Sequence, residues 1–465
     1  MADVVENVLR HADRELDHSL ARLFDLLRIP SISAQPQHAA DCARAADWAR
    51  ELLADLGFKA KVHPTAGCPV VLAHHQRPSG LCGPDILFYG HYDVQPPEPL
   101  ELWHSPPFAP QLIDGPRGKR IVARGAVDNK GQAMMFLEAL RAWKQVTGAI
   151  PAGVTVLLEG EEEVGSPNLE PFLVEHQDAL RADFALISDT GMWDVDTPAL
   201  TTRLRGLVYV EITLHGAVRD LHSGLFGGSA LNAVNALAEI LGGLHDSDGR
   251  VAIPGFYDRV RTVSPAQAKE WDALGFDESA FLGSIGLRSP SGETGVPGLQ
   301  RLWARPTADL NGICGGYTGP GAKTVIPAEA RAKLSCRLVP DQDPAEVIEG
   351  IKQFINQRLP LGARADIEVF SAAPPIEIAT TSAFIDAARA ALSDEYGRPA
   401  VLIGSGGSIP VVEALRRRLG LDSLLMGFAL DDDQTHSPNE KFELRCFHHG
   451  IRSHIRLLGR LAAAA

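Results

Sequence analysis

Ile86-Leu87-Phe88-Tyr89-Gly90-His91-Tyr92-Asp93-Val94-Gln95-Pro96 is the stretch whose reading decides the fold. Four consecutive apolar residues suit a strand buried on both faces, and they run into a histidine and a carboxylate two positions apart. Gly90 is expected to let the backbone open at the strand's end, and Pro96 to stop further pairing. A His-x-Asp pair placed there can project one imidazole into a site, with the carboxylate fixing its tautomer from behind. A capping histidine beside a solvated aspartate fits the fragment equally well.

Upstream, Leu9, Leu16, Leu20, Leu23, Leu26 and Leu27 recur at helical spacing from about residue 3 to 29, where Ile29-Pro30 ends the pattern. A second helix is expected from about Ala39 to Leu56, with Trp48, Leu52, Leu53 and Leu56 on its apolar side and Gly57 as its stop. Strands at Lys59 to His63 and Pro69 to His74 then lead into the opening strand, an alternation that indicates an α/β sheet.

Downstream the same pattern returns. Asp128, in Arg124-Gly125-Ala126-Val127-Asp128-Asn129-Lys130-Gly131, precedes a helix whose buried face is Ala133, Phe136, Leu137, Leu140 and Trp143, and taken alone it could be a cap. Val154 to Leu158 is a buried strand that enters Glu159-Gly160-Glu161-Glu162-Glu163-Val164-Gly165-Ser166. That acid run is either a solvated turn or a set of carboxylates gathered around positive charge. Ala185-Leu186-Ile187 leads to Ser188-Asp189, and Leu424 to Phe428 leads to Asp431 and on to Thr435-His436-Ser437-Pro438-Asn439-Glu440. Five strand ends or adjoining loops therefore offer His, Asp or Glu, and in open α/β sheets ligands bind at the carboxyl ends of strands.

Between Thr201 and about Pro375 the chain changes character. Gly206 to His215 alternates as a strand and Ala230 to Leu244 reads as a helix. After an irregular insertion at roughly 248–300, whose function the sequence leaves open, come strands at about 307–313 and 329–339, a helix at about 344–358 and a strand at about 365–371. The order β-α-β-β-α-β is a compact split βαβ unit inserted into the larger domain. The expected division is 1–203 and 376–465 for the larger domain and 204–375 for the insert.

The 465 residues suit two domains. With 44 Lys+Arg against 58 Asp+Glu the net charge is -14, which disfavours nucleic acid or an anionic membrane as partner. Cys42, Cys68, Cys82, Cys314, Cys336 and Cys446 show no Cys-x-x-Cys spacing, so buried free thiols are expected. The acidic N-terminus lacks a signal-peptide pattern and no stretch is long enough to span a bilayer, so a cytoplasmic protein is expected.

Two histidines with two or three carboxylates are a ligand set for a pair of divalent metals, zinc being favoured by imidazole and manganese or cobalt also fitting. One carboxylate has to bridge, and a further unligated one has to move the proton of an attacking water. Among Glu161, Glu162 and Glu163 the residues alone do not choose. The glycine-rich stretches Gly404 to Gly407 and Gly321-Ala322-Lys323-Thr324 lack a P-loop ending, and neither Gly-x-Ser-x-Gly nor His-Glu-x-x-His occurs.

Together these five motifs resemble the di-zinc aminoacylase and carboxypeptidase superfamily, and within it cytosolic nonspecific dipeptidases and carnosinases. The resemblance implies a zinc-exopeptidase-like α/β catalytic domain, a mixed sheet flanked by helices, interrupted by an α+β lid that mediates homodimerisation. It implies His91, Asp128 and Asp189 on one metal and Asp128, Glu163 and His436 on the other, with Asp128 bridging and Asp93 orienting His91. The Glu-Glu-x-Gly-Ser pattern implies Glu162 as general base, acting on a water between the metals, and leaves Glu161 without a role.

Asp220-Leu221-His222-Ser223-Gly224 resembles a dipeptidase loop whose histidine steadies the oxyanion in the partner subunit's site, and Thr324, Arg337 and Ser408 are implied as substrate contacts. Arg337 suits a terminal carboxylate because a guanidinium can offer two parallel hydrogen bonds. The implied activity is hydrolysis of dipeptides or similar small amides. An N-acyl-amino-acid deacylase or glutamate-releasing carboxypeptidase is the alternative, and a non-catalytic metal- or peptide-binding relative is a third.

Overall fold

The computed structural model describes residues 1–80, 83–407 and 409–463. By packing, these form two units, one of residues 1–202, 378–403 and 410–463 and the other of 203–377 and 404–409. Residues 404–409 group with the second unit, whereas the sequence reading placed all of 376–465 in the larger domain. Arg205 shows why: its backbone N–H donates to the Gly407 carbonyl and its Nε to that of Gly406, both at 3.2 Å.

The first unit opens with two helices, Ala2–Arg14 and Leu16–Leu27, in place of the single one expected; the break is at Glu15, with φ -93° and ψ 5°. Helix Ala39–Asp55 leads to strands β1 (Lys59–His63), β2 (Val70–His75) and β3 (Asp85–His91). A hairpin of β4 (Gln111–Gly115) and β5 (Gly118–Val122) precedes helix Lys130–Thr147. Then come β6 (Gly153–Glu159), β7 (Phe184–Ile187) and β8 (Ala199–Leu204), the last passing from the first unit into the second.

The second unit contains β9 (Gly206–His215), β10 (Leu221–His222), β11 (Thr307–Gly315), β12 (Val325–Ile326), β13 (Glu329–Leu338), β14 (Arg364–Ala373) and β15 (Ile376–Glu377). The chain returns through β16 (Val401–Ser405), β17 (Ser423–Leu425) and β18 (Lys441–Glu443) to the closing helix Leu444–Ala463.

The central sheet of the first unit runs β1-β2-β6-β3-β7-β17-β8. Its middle is parallel, with β3 against β6 and β7, and β17 against β7, while β1, β2 and β8 join antiparallel. In β3, Ile86, Leu87, Phe88 and Tyr89 are wholly buried, as the unbroken apolar run requires of an interior parallel strand. Each such side chain contributes on the order of 1.5–3 kcal/mol by leaving water. Phe88 stacks on Phe136 of helix Lys130–Thr147 at 4.3 Å. Gly90 is needed for close approach rather than for backbone freedom: a Cβ there would lie 3.0 Å from Asn129 Oδ1 and 3.3 Å from Ala133 Cβ.

In the second unit the sheet order is β11-β13-β9-β14, all antiparallel, the arrangement of a split βαβ unit. Alternate residues Val208, Val210, Ile212 and Leu214 are buried with Leu237, Ile240, Ile351 and Phe354 of helices Ala233–Gly242 and Pro344–Arg358. The 248–300 insertion forms helices Pro265–Asp272 and Glu278–Ser284 and enters Gly298–Ala304. It is anchored by buried Glu293, which Arg305 and Tyr257 bond, and by Trp271 edge-on to Trp303.

Among the described cysteines Cys42, Cys336 and Cys446 are buried thiols as expected, but Cys68 is half-buried and Cys314 exposed; Cys82 lies outside the described residues. No described helix is long and apolar enough to cross a membrane.

Glu395 ties helix Ala383–Tyr396 to the closing helix, accepting from His449 Nδ1 at 2.8 Å, Arg452 Nε at 2.6 Å and Arg456 Nε at 2.8 Å. Burial alone would raise its pKa, but these three donors outweigh it and hold the carboxyl down at about 2. A carboxyl lowered on folding stabilises fully above its unfolded pKa near 4.5, and that contribution is lost as pH falls from about 4.5 through about 2. At 1.36 kcal/mol per pH unit this is about 3 kcal/mol at neutral pH. Urea melts should show Glu395→Gln destabilised by roughly that amount at pH 7, with the difference from wild type shrinking towards pH 2.

Candidate metal centre

Five side chains, three at or just after strand ends and two from loops, meet at the carboxyl edge of the parallel strands. His91 closes β3, Glu163 lies in the turn after β6, Asp189 follows β7, and His436 sits in the loop between β17 and β18. Asp128 ends the loop between β5 and helix Lys130–Thr147. Two donor groups result, His91 with Asp128 and Asp189, and Asp128 with Glu163 and His436; within each, the donor atoms lie within 4.8 Å of one another. Asp128 belongs to both. Its Oδ1 is 3.2 Å from His91 Nε2 and its Oδ2 is 2.9 Å from His436 Nε2. Glu163 Oε2 is 3.1 Å from His436 Nε2, and Asp189 Oδ2 is 3.8 Å from His91 Nε2.

Asp128 is not a helix cap. The N-cap is Asn129, and no side chain there bonds the helix's free N–H groups. The loop before the helix is shaped by Glu440, fully buried, whose carboxylate accepts from the N–H groups of Gly125, Val127 and Asp128 at 2.8, 2.9 and 3.1 Å and from Arg124 at 2.8 Å. The other loop is held by buried Asp433, which accepts from the Leu430 N–H at 2.7 Å and from Lys441 Nζ at 2.6 Å. It presents His436 at φ 61°, a left-handed conformation uncommon for a residue with a Cβ.

The imidazole of His91 is completely buried. Its Nδ1 hydrogen-bonds the Asp93 backbone carbonyl at 3.2 Å, with the Asp93 carboxylate 3.4 Å away. With the proton on Nδ1, Nε2 presents a lone pair, and that atom has no hydrogen-bond partner despite its burial. Asp93 does more than orient one ring. Its carboxylate accepts from Ser33 Oγ at 2.6 Å and from the N–H groups of Glu162 and Glu163 at 3.3 and 3.2 Å, joining the end of β3 to the acidic turn.

The donor set fits a pair of divalent cations. Burial pushes the Glu162 and Asp189 carboxyls up, and so do the neighbouring carboxylates, against the opposing influence of His91. Hydrogen bonds accepted by the Asp128 and then the Glu163 carboxylate lift His436 to about 10. His91 is also raised, because Asp128 and Asp93 outweigh the effect of its burial. Such a cluster calls for positive charge, and oxygen and imidazole donors suit divalent ions of the first transition row. Nε2 of His91 makes no well-aligned hydrogen bond and faces the Asp128 and Asp189 carboxylates, as a ligand nitrogen should.

The three adjacent glutamates are now distinguishable. Glu161 is buried and accepts from Asn168 Nδ2 at 2.7 Å. Glu163 faces His436 and accepts from Gln95 Nε2 at 2.9 Å. The Glu162 carboxylate has no hydrogen-bond or ion-pair partner among the described residues, and it feels the charges of His91, Asp189, Glu163 and Asp128.

Of the remaining sequence candidates, His222, Thr324 and Arg337 lie in the second unit. His222 in β10 pairs with Val325 in β12, and the Ser223 N–H donates to the Thr324 carbonyl at 3.1 Å, so His222 and Thr324 share one short ribbon. His222 is exposed, and its Nδ1 accepts from the Gly224 N–H at 2.9 Å. Arg337 lies in β13 opposite Thr307 and Leu207. Ser408 lies outside the described residues. Sequence reasoning assigned nothing to Ser33 or Glu440; only the bond of half-buried Ser33 to the Asp93 carboxylate, and the burial of Glu440 with its bonds to the motif backbone, single them out.

The sequence profile of peptidase family M20/M25/M40 matches residues 87–460. The chain is 30% identical over 470 residues to the Cys-Gly metallodipeptidase dug1 of Schizosaccharomyces pombe, covering 97% of each protein. It is 29% identical to the Beta-Ala-His dipeptidase of Rattus norvegicus, covering 94% of this chain and 91% of that one. Among solved structures, the di-peptidase Dug1p from Saccharomyces cerevisiae superposes with a TM-score of 0.83 at 26% identity, covering 100% of this chain and 99% of that chain.

Proposed function

The chain belongs to peptidase family M20/M25/M40 and is a metallopeptidase; from that premise we propose that it hydrolyses the peptide bond of dipeptides and similar small amides. The observation carrying this reading is the pair of donor groups joined at Asp128, with the uncommitted Glu162 carboxylate beside them. His91, Asp128 and Asp189 would hold one divalent cation, and Asp128, Glu163 and His436 the other. Zinc is favoured by the two imidazoles, and manganese or cobalt fit the same donors. When bound, the cations supply Lewis-acid activation of the scissile carbonyl and of the attacking water.

The chain's own residues do the rest. Glu162 takes the water's proton and delivers it to the departing amine. Asp93 holds the His91 ring and the acidic turn in register, through the contacts described above. Arg337 grips the substrate's terminal carboxylate with two parallel hydrogen bonds, with Thr324 and Ser408 as further contacts. His222 donates a hydrogen bond to the developing oxyanion in the partner subunit of a homodimer. The enzyme acts in the cytoplasm.

Purified protein assayed on a panel of dipeptides and N-acyl amino acids, before and after chelation and return of zinc, manganese or cobalt, tests this directly. Dipeptide hydrolysis should vanish on chelation and return with metal. Activity that survives full metal removal overturns the reading, and faster turnover of N-acyl amino acids than of any dipeptide converts it to a deacylase.

A further inference from the structure

Each donor group contains one carboxylate that belongs to it alone, Asp189 beside His91 and Glu163 beside His436. Besides the histidine of its own group, each is bonded by a side-chain amide and by no lysine or arginine among the described residues. Asn129 Nδ2 donates to Asp189 Oδ1 at 3.0 Å and to the Ser188 carbonyl at 2.7 Å, while Asn129 Oδ1 accepts the His91 backbone N–H at 3.3 Å. These partners set the amide's orientation, since the nitrogen faces two acceptors and the oxygen a donor. Asn129 is 1% exposed, so these bonds are shielded from bulk solvent. Across the site, Gln95 Nε2 donates to Glu163 Oε2 at 2.9 Å and to the Glu163 carbonyl at 3.2 Å.

We propose that Asn129 and Gln95 are paired positioning residues, one neutral amide for each cation site, that orient Asp189 and Glu163 as ligands. The proposal rests on the metal-centre reading above. A lysine or arginine in either place would neutralise the carboxylate and compete with the cation for it, and a further acid would add to the repulsion among the carboxylates. An amide N–H restricts the carboxylate's rotation and leaves its charge and remaining lone pairs for the cation. At Asp189 the amide bonds Oδ1 while Oδ2 faces His91; at Glu163 it bonds Oε2, the oxygen that also faces His436. Because the two amides touch different carboxylates, their effects belong to different sites.

Zinc titration calorimetry on metal-stripped protein, in two single-site backgrounds, tests the pairing. His436→Ala leaves the His91 site and His91→Ala leaves the His436 site. Adding Asn129→Ala should weaken zinc binding ~10–100-fold in the His436→Ala background and by less than about threefold in the His91→Ala background. Gln95→Ala should do the reverse. Equal losses in both backgrounds, which general damage to the fold would produce, overturn the proposal, as does no loss in either. Asn129→Ser and Gln95→Ser carry the same expectation should an alanine variant fail to fold. If His91→Ala and His436→Ala each still bind two zinc ions, the metal-centre reading fails by itself, whatever the amide variants do.

Discussion

Glu162→Gln should retain both cations and lose turnover by ~10²–10⁴-fold, the usual contribution of a positioned general base. Glutamine has nearly the same shape but cannot take a proton, so the change removes chemistry and leaves packing. The neighbours cannot substitute. Glu163 faces His436 and is bonded by Gln95, and Glu161 is bonded by Asn168 and packed against Gly67, whose α-carbon leaves no room for a Cβ beside Glu161 Oε1. The Glu162 backbone is held by its N–H to Asp93 Oδ1, so the uncommitted carboxylate projects from a fixed turn. Metal analysis beside kcat checks the assignment. Retained turnover with a lost cation would exchange the roles of Glu162 and Glu163.

His222→Ala should lower kcat by ~10²–10³-fold, the cost of one oxyanion donor, with cation content unchanged. Because Nδ1 accepts from the Gly224 N–H, the neutral ring carries its proton on Nε2. An exposed imidazole whose Nδ1 is held as an acceptor keeps its Nε2–H available to a group outside its own ribbon. Action across a dimer has a distinctive signature: mixing inactive Glu162→Gln and His222→Ala subunits should restore up to about a quarter of wild-type activity, since half the dimers are hybrids with one working site. No restoration after subunit exchange, or full activity in a wild-type monomer, sinks the cross-subunit role.

Much of the fold was legible because burial leaves a periodic mark on sequence. The unbroken apolar run of β3 and the strict alternation of β9 announced a strand covered on both faces and one covered on a single face, and both are so. The grouping of candidate donors was legible for a related reason: His91, Glu163 and Asp189 come at or just after apolar strands, and the ends of neighbouring parallel strands lie side by side. Less was visible where the cause is not local. The break at Glu15 interrupts a helical pattern that runs on through it, and Gly90 signalled freedom of the backbone where the structure shows a lack of space beside Asn129 and Ala133. Loop 404–409 follows the second unit because of Arg205, some two hundred residues earlier.

By itself, then, the sequence determined the α/β order, the inserted split βαβ unit and the set of acids and histidines at strand ends, since all three are written in local periodicity and residue type. Tertiary structure alone decided which partner each of those groups meets. Whether a glutamate in Glu161-Glu162-Glu163 is clamped, faces a histidine or stays free depends on Asn168, Gln95 and Asp93, which the turn meets only after folding. A hydrogen bond acts over about 3 Å, and no spacing along the chain records which groups will come that close.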